Sequence, residues 1–162
     1  MQTFEETIEE LRKIPWFREL SEKHLQDVTA ITHLRIVKAG EVLFREGDKA
    51  DFVYIILKGR IGLNIFIPHR GKVQLYTADP QEVFGWSSVT PTVHQRTAGA
   101  TVVLDGLVAC IDAEKLREVC EADHDLGYLV MRRLANVVTS RLLVTRLQLI
   151  DMFAGPEEAS HA

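Results

Sequence analysis

From Leu34 to Asp112 the chain is a succession of short β-branched or alternating runs, each closed by turn residues. The runs are Leu34–Val37, Val42–Phe44, Phe52–Leu57, Arg60–Ile67, Lys72–Thr77, Arg96–Leu104 and Leu107–Ile111. The breaks between them include Lys38-Ala39-Gly40, Glu46-Gly47-Asp48, Lys58-Gly59, Pro68-His69-Arg70-Gly71, Asp79-Pro80 and Asp105-Gly106. Many short strands at regular spacing predict an antiparallel sandwich or barrel. Lys58-Gly59 and Asp105-Gly106 read as tight hairpin turns.

Helical periodicity flanks this region. Residues 4 to 14 place Phe4, Ile8 and Leu11 on one face, and Pro15 ends the pattern. Ser21 is a good N-cap for a helix over 22–30, which presents Leu25 and Val28. After Asp112 a short helix spans Ala113 to Ala122. Asp123 then caps a long helix over about 124–153, which stops near Gly155-Pro156. About 30 residues at 1.5 Å rise give roughly 45 Å. Leu126, Val130, Leu134, Val137, Leu142, Leu149 and Phe153 form one broad apolar stripe. From Leu142 onward the helix is apolar nearly all round, so it needs a second covering partner. Between Leu126 and Ile150 it carries Arg132, Arg133, Arg141 and Arg146 and no acid. One domain over 1–154 and a small, polar, disordered tail over 155–162 are expected.

The stretch Phe84-Gly85-Trp86-Ser87-Ser88, followed by Arg96-Thr97-Ala98, can build an anion pocket. Gly85 lets the backbone approach a ligand closely. The N–H groups of the following turn can point at an anion. Arg96, ten residues after Trp86, offers a bidentate fork to phosphate or carboxylate. Two readings stand for Arg96: a ligand contact, or a structural ion pair with an acid such as Glu82. Two also stand for Trp86: a lid or stacking surface, or plain core.

The formal net charge of −4 argues against broad nucleic-acid binding, which needs a basic surface. No apolar run reaches membrane-spanning length, so no membrane partner is expected. The start, Met1-Gln2-Thr3-Phe4-Glu5-Glu6, is acidic and unlike a signal peptide, which makes a cytoplasmic location the default. Cys110 and Cys120 read as buried reduced thiols, and the histidines show no metal spacing. No nucleophile–base arrangement, paired carboxylate or P-loop stands out, so an enzyme is not expected.

Two further runs complete the pattern: Val37-Lys38-Ala39-Gly40-Glu41-Val42-Leu43-Phe44-Arg45-Glu46-Gly47-Asp48 and Phe52-Val53-Tyr54-Ile55-Ile56-Leu57-Lys58-Gly59-Arg60-Ile61. With the cassette and the long helix, they closely resemble the cyclic-nucleotide-binding domain of the catabolite-activator superfamily. The resemblance covers about residues 8 to 153. It implies a mainly β fold with flanking helices: an eight-stranded β-roll of double-stranded β-helix or jelly-roll type, with N-terminal helices and a long C-terminal helix. Tyr54, Ile56, Ile61 and Leu63 would face inward, and Glu46 and Asp48 would cap turns.

In that family a Phe-Gly-Glu cassette binds the ribose hydroxyl through its Glu, and an Arg some ten residues on binds the cyclic phosphate. Here Phe84, Gly85, Arg96, Thr97 and Ala98 match, and Trp86 stands in place of the Glu. A carboxylate accepting a buried hydroxyl contributes about 1.5–3 kcal/mol. An indole has no acceptor to offer. Affinity for cyclic AMP or cyclic GMP should therefore fall about tenfold to a hundredfold. Pro91 should stiffen the loop.

Phe-Gly-Trp-Ser resembles a variant of bacterial one-domain members. In the family, polar residues of the long helix contact the purine; Thr139, Ser140 and Arg141 are the nearest candidates here. The resemblance also implies a homodimer through that helix. The transcription-factor members continue into a winged helix-turn-helix. Only a polar tail follows here, so no DNA partner is expected. The expectation is a regulatory sensor module that binds a small anionic ligand, cyclic nucleotides among the candidates, and signals to an unidentified effector protein. A ligand-free dimerisation module is the alternative.

Overall fold

The computed structural model describes residues 2–90, 93 and 95–155. Pro91 and Thr92, where the cassette loop was expected to stiffen, and tail residues 156–162 lie outside the described residues. Four helices frame one antiparallel sheet.

Helix α1 (Phe4–Arg12) opens on a capping box: the Thr3 side chain accepts from the Glu6 N–H, and Glu6 answers to the Thr3 N–H. It ends before residue 14, because Ile14, preceding a proline, is extended. A 3-10 turn over Pro15–Glu19 follows. Ser21 caps α2 (Glu22–Ala30) by accepting from the His24 N–H. Asp112 caps α3 (Ala113–Ala122), and Asp123 caps α4 (His124–Ala154) through the N–H groups of Asp125 and Leu126.

The strands are β1 (Thr32–Val37), β2 (Val42–Phe44), β3 (Phe52–Ile67), β4 (Gly71–Ala78), β5 (Val83–Phe84) and β6 (Gly99–Asp112). Their order is β1-β6-β3-β4, with β2 also on β6 and β5 on β3. The described residues thus form a six-stranded sheet where eight strands were expected. Lys58-Gly59 and Asp105-Gly106 are not hairpins. Strands β3 and β6 run through them, paired from Phe52 opposite Asp112 to Asn64 opposite Gly99, with register shifts around residues 56–61. The glycines serve close approach instead. A Cβ on Gly106 would lie 2.0 Å from the Lys58 carbonyl oxygen, and one on Gly59 2.6 Å from that of Leu104.

Strand alternation divides the core. Val53 and Ile55 of β3 face a cluster shared with Leu11, Phe17, Ile111 and Leu126 under the helices. Tyr54 and Ile56 face the roll interior with Val37, Ile61, Phe84 and Cys110. Leu63 packs on this second cluster. Asp48 caps its turn, accepting from the Arg45 N–H, but Glu46 does not: its carboxylate accepts from the N–H of Phe66 in β3, so it bridges the turn to a distant strand.

Helix α4 does not carry a single apolar stripe. Leu126 and Val130 are buried, and Leu134 and Val137 pack beside them. Leu142, Leu149 and Phe153 are exposed. They belong to a different face, on which Tyr128, Met131, Val138, Leu142, Leu149 and Met152 all lie open. No described helix is long and apolar enough to cross a membrane.

Candidate functional site

The cassette is built where β5 ends. Phe84 is fully buried and stacks on Tyr54, with ring centroids 4.9 Å apart. The next residue must turn the chain sharply: Gly85 takes a left-handed φ of 70°, and Trp86–Val89 form a 3-10 turn. The Ser88 hydroxyl donates to the Gly85 carbonyl at 2.8 Å and closes that turn.

Arg96 comes from the other side of the roll. Its backbone is fixed to the β2–β3 turn, with the Arg96 N–H donating to the Asp48 carbonyl and the Gly47 N–H to the Arg96 carbonyl, each at 2.8 Å. The side chain is 3% exposed. Its guanidinium donates to the carbonyls of Gly85 and Phe52, both at 2.7 Å, and lies 4.1 Å from the centre of the Phe44 ring. Burial pulls its pKa below the ordinary arginine value. Among the described residues it has no salt-bridge partner, and its Nε–H is buried without an acceptor.

The ion pair with Glu82, the alternative reading of Arg96, is not formed. Glu82 faces α4 instead, accepting from the Tyr76 hydroxyl at 2.6 Å and from Arg141 at 3.3 Å. Its other carboxylate oxygen caps the turn at Asp79, accepting from the backbone N–H at 2.6 Å.

Gly85, Trp86, Ser87, Arg96 and Thr97 line one cavity of about 140 Å³. Phe84 and Ser88 do not reach it: Phe84 is packing beneath the turn, and Ser88 holds the turn's shape. Trp86 is half-buried. It forms a wall between this cavity and a groove of about 670 Å³ against α3 and α4, so it is neither plain core nor a free lid.

Helix α4 closes the cavity with Arg141, Val144, Thr145 and Gln148. Of the helix residues expected there, only Arg141 arrives. The Thr139 hydroxyl donates back to the Ala135 carbonyl, and Ser140 opens on a separate cleft. Val144, Thr145 and Gln148 were missed, although their i, i+3, i+4, i+7 spacing with Arg141 marks one helix face. Arg141 lies 3.6 Å over the Tyr76 ring and donates to the Val83 carbonyl at 3.3 Å; Gln148 donates to the Leu75 carbonyl at 2.7 Å. Burial and the bond to Glu82 raise the Tyr76 pKa.

The cavity wall therefore carries two guanidiniums and, among the described residues, no carboxylate. It can stabilise an anion next to aromatic and aliphatic surface. No cluster of potential metal ligands occurs among the described residues.

Comparison with known proteins agrees with this architecture. The family model described as the cyclic nucleotide-binding domain matches residues 34–123. An NTE family protein of Mycobacterium tuberculosis is 26% identical over 128 residues, which is 79% of this chain and 21% of that protein. The chain thus spans about a fifth of the length of the curated relatives it matches. A solved structure of a candidate cyclic nucleotide-binding protein from Geobacter metallireducens superposes with a TM-score of 0.73 at 29% identity, covering 84% of this chain and 98% of that one. The regulatory domain of Toxoplasma gondii PKA with cAMP shares the fold, with a TM-score of 0.60 at 23% identity over 71% of this chain and 43% of that one. With its matched region running from within β1 to Asp123, the N-cap of α4, the chain belongs to the cyclic nucleotide-binding domain family.

Proposed function

We propose that this chain is a regulatory sensor module. Its β-roll takes a small anionic ligand, and α4 carries the signal to a second copy of the chain or to an effector protein. One observation carries the reading: Arg96, buried without a carboxylate partner among the described residues, and α4, through Arg141, Val144 and Gln148, line the same cavity. A ligand held by Arg96 would touch the helix directly. Differential affinity for two helix positions is all that such a switch requires.

The exposed face of α4 supports the dimer. Tyr128, Met131, Val138, Leu142, Leu149 and Met152, with Ala135 and Thr145 at the two positions between them, follow the alternating three- and four-residue steps of a coiled-coil seam. A specific DNA partner is not part of this reading, given the net charge of −4. Neither is catalysis: among the described residues that line the cavity there is no histidine or carboxylate beside a hydroxyl.

A ligand-free dimerisation module is the second reading. The carbonyl partners of Arg96 favour it, because they satisfy part of the guanidinium without any ligand. Thermal denaturation against a panel of nucleotides and small organic anions separates the two. A ligand at about 100 times its dissociation constant adds about 2.7 kcal/mol. Mass spectrometry of small molecules released from the natively purified protein then identifies it. A protein that neither releases nor responds to any anion is the dimerisation module.

A further inference from the structure

Resting on the sensor reading, we infer that the cavity is a site for a compact dianion, with Arg96 and Arg141 as its two anion-binding groups. On this inference Arg141 exchanges Glu82 for the ligand. The starting point is charge. Both guanidiniums line the cavity, no described carboxylate does, and the Nε–H of each is buried without an acceptor. Arg96 has no carboxylate partner among the described residues, and a desolvated charge left without a counter-charge is costly, whereas Arg141 shares its charge with Glu82 at 3.3 Å. A ligand with one negative charge answers Arg96 and leaves Arg141 with Glu82; a second acidic group is what could take Arg141 from Glu82.

The two arginines are held differently. Arg96 is anchored at 2.7 Å to two backbone carbonyls. Arg141 holds both its partners at 3.3 Å, near the outer limit of a hydrogen bond, with its guanidinium stacked on Tyr76. If Arg141 leaves, Glu82 is not orphaned. It keeps the Tyr76 hydroxyl and the Asp79 N–H, each at 2.6 Å. The latch between α4 and the β4–β5 turn is thus cheap to open on the acid's side, and a second anionic group has a donor to capture. Arg96 is the fixed end of the site and Arg141 the exchangeable one.

Size narrows the class. A cavity of about 140 Å³ is close to the roughly 150 Å³ that accommodates a single benzene ring. Tyr76, Trp86 and Val144 give it apolar walls. The cavity is open on one side, so the part of the ligand that enters it is one ring or its aliphatic equivalent, with two acidic groups in reach of the arginines.

Calorimetry with matched ring acids tests this: benzoate as the monoanion, isophthalate and terephthalate as dianions, and cyclic AMP alongside. The wild type should bind one dicarboxylate at least tenfold more tightly than benzoate. Arg141→Gln should bring that ratio to within about twofold of unity while leaving benzoate binding in place. Arg141→Lys, which keeps the charge, should restore part of it. Glu82→Gln, which weakens the competing acceptor, should tighten the dicarboxylate several-fold. Equal binding of benzoate and both dicarboxylates, abolished by Arg96→Leu, would overturn the dianion and leave the sensor reading standing. Tighter binding of cyclic AMP than of any ring acid, or an unchanged ratio in Arg141→Gln with α4 intact by circular dichroism, overturns it likewise. No binding of any of these anions would overturn it, and the nucleotide and co-purification tests above then decide the sensor reading separately.

Discussion

The Arg96 guanidinium donates to the Gly85 carbonyl at 2.7 Å and so ties together the two halves of the cassette. That contact requires a glycine. A Cβ at position 85 would lie 2.7 Å from the same guanidinium nitrogen and 3.1 Å from the Tyr54 ring, and the residue's φ is 70°. Left-handed backbone alone costs a residue with a Cβ about 1–2 kcal/mol. Gly85→Ala should therefore lose at least that much in urea denaturation and lose anion binding with it. An unchanged midpoint would mean that the turn rearranges without loss.

Arg96→Leu should abolish anion binding, but not silently. It removes a donor from the Gly85 carbonyl and another from the Phe52 carbonyl. Leaving a buried acceptor unsatisfied costs about 1–3 kcal/mol. The Gly85 carbonyl keeps the Ser88 hydroxyl, so the loss belongs mostly at Phe52. A melting temperature lowered by several degrees is expected, with the β-sheet signal in circular dichroism retained. An unfolded Arg96→Leu variant, together with a wild type that binds no anion, would make Arg96 a structural residue.

Much of this was legible beforehand. The helices α2, α3 and α4 sit within a residue or two of their caps, because Ser21, Asp112 and Asp123 act locally. The cassette was legible because glycine and arginine at fixed spacing carry their chemistry in their identity. Two things were not. A glycine between two β runs can turn the chain or admit a crossing strand, and nothing local to Gly59 or Gly106 says which; only the long-range pairing of β3 with β6 decides. The register of α4 over the cavity was hidden for the same reason. Thr139, Ser140 and Arg141 are adjacent and all able to hydrogen-bond, and the contact of Arg141 with Tyr76 and Glu82 that singles it out is tertiary.

The exposed seam of α4 predicts a homodimer. Leu142→Asp with Leu149→Asp places two charges on positions that are 66% and 52% exposed in the single chain. The pair should cost the monomer less than about 0.5 kcal/mol each, as surface substitutions do, while disrupting a coiled-coil contact. Light scattering at micromolar concentration should show a dimer for the wild type and a monomer for the variant. A monomeric wild type would remove the dimer from the proposed function.

Cys110 is 1% exposed in the roll interior, and burial pushes its thiol pKa up to about 12. In the unfolded chain the thiol ionises near its ordinary value of 9.0. The folded state therefore holds the proton longer, and this group's contribution is fully present below pH 9 and falls as pH rises toward 12. Cys110 should resist iodoacetamide at pH 8 in the native protein and react on unfolding, because the thiolate is the nucleophile. Peptide mapping after brief native alkylation checks this; rapid labelling of Cys110 would place the roll interior within reach of solvent.

Trp86→Glu puts a carboxylate into a cavity that, among the described residues, has two arginines and no acid. Two consequences follow from one charge. A carboxylate accepting a ribose hydroxyl contributes about 1.5–3 kcal/mol, so affinity for cyclic AMP should rise about tenfold to a hundredfold. The same carboxylate competes for Arg141, so a ring dicarboxylate should bind more weakly than it does to the wild type. Trp86→Phe separates bulk from charge: it removes the indole, keeps an aromatic wall and adds no acid, and should leave the preference for dianions intact. Calorimetry on the three proteins reads both effects. If cyclic AMP gains nothing from Trp86→Glu, the block lies in the shape of the cavity beneath α4 and not in the missing acid. If Trp86→Phe alone admits cyclic AMP, the indole is a steric plug, and charge at position 86 is not what selects the ligand.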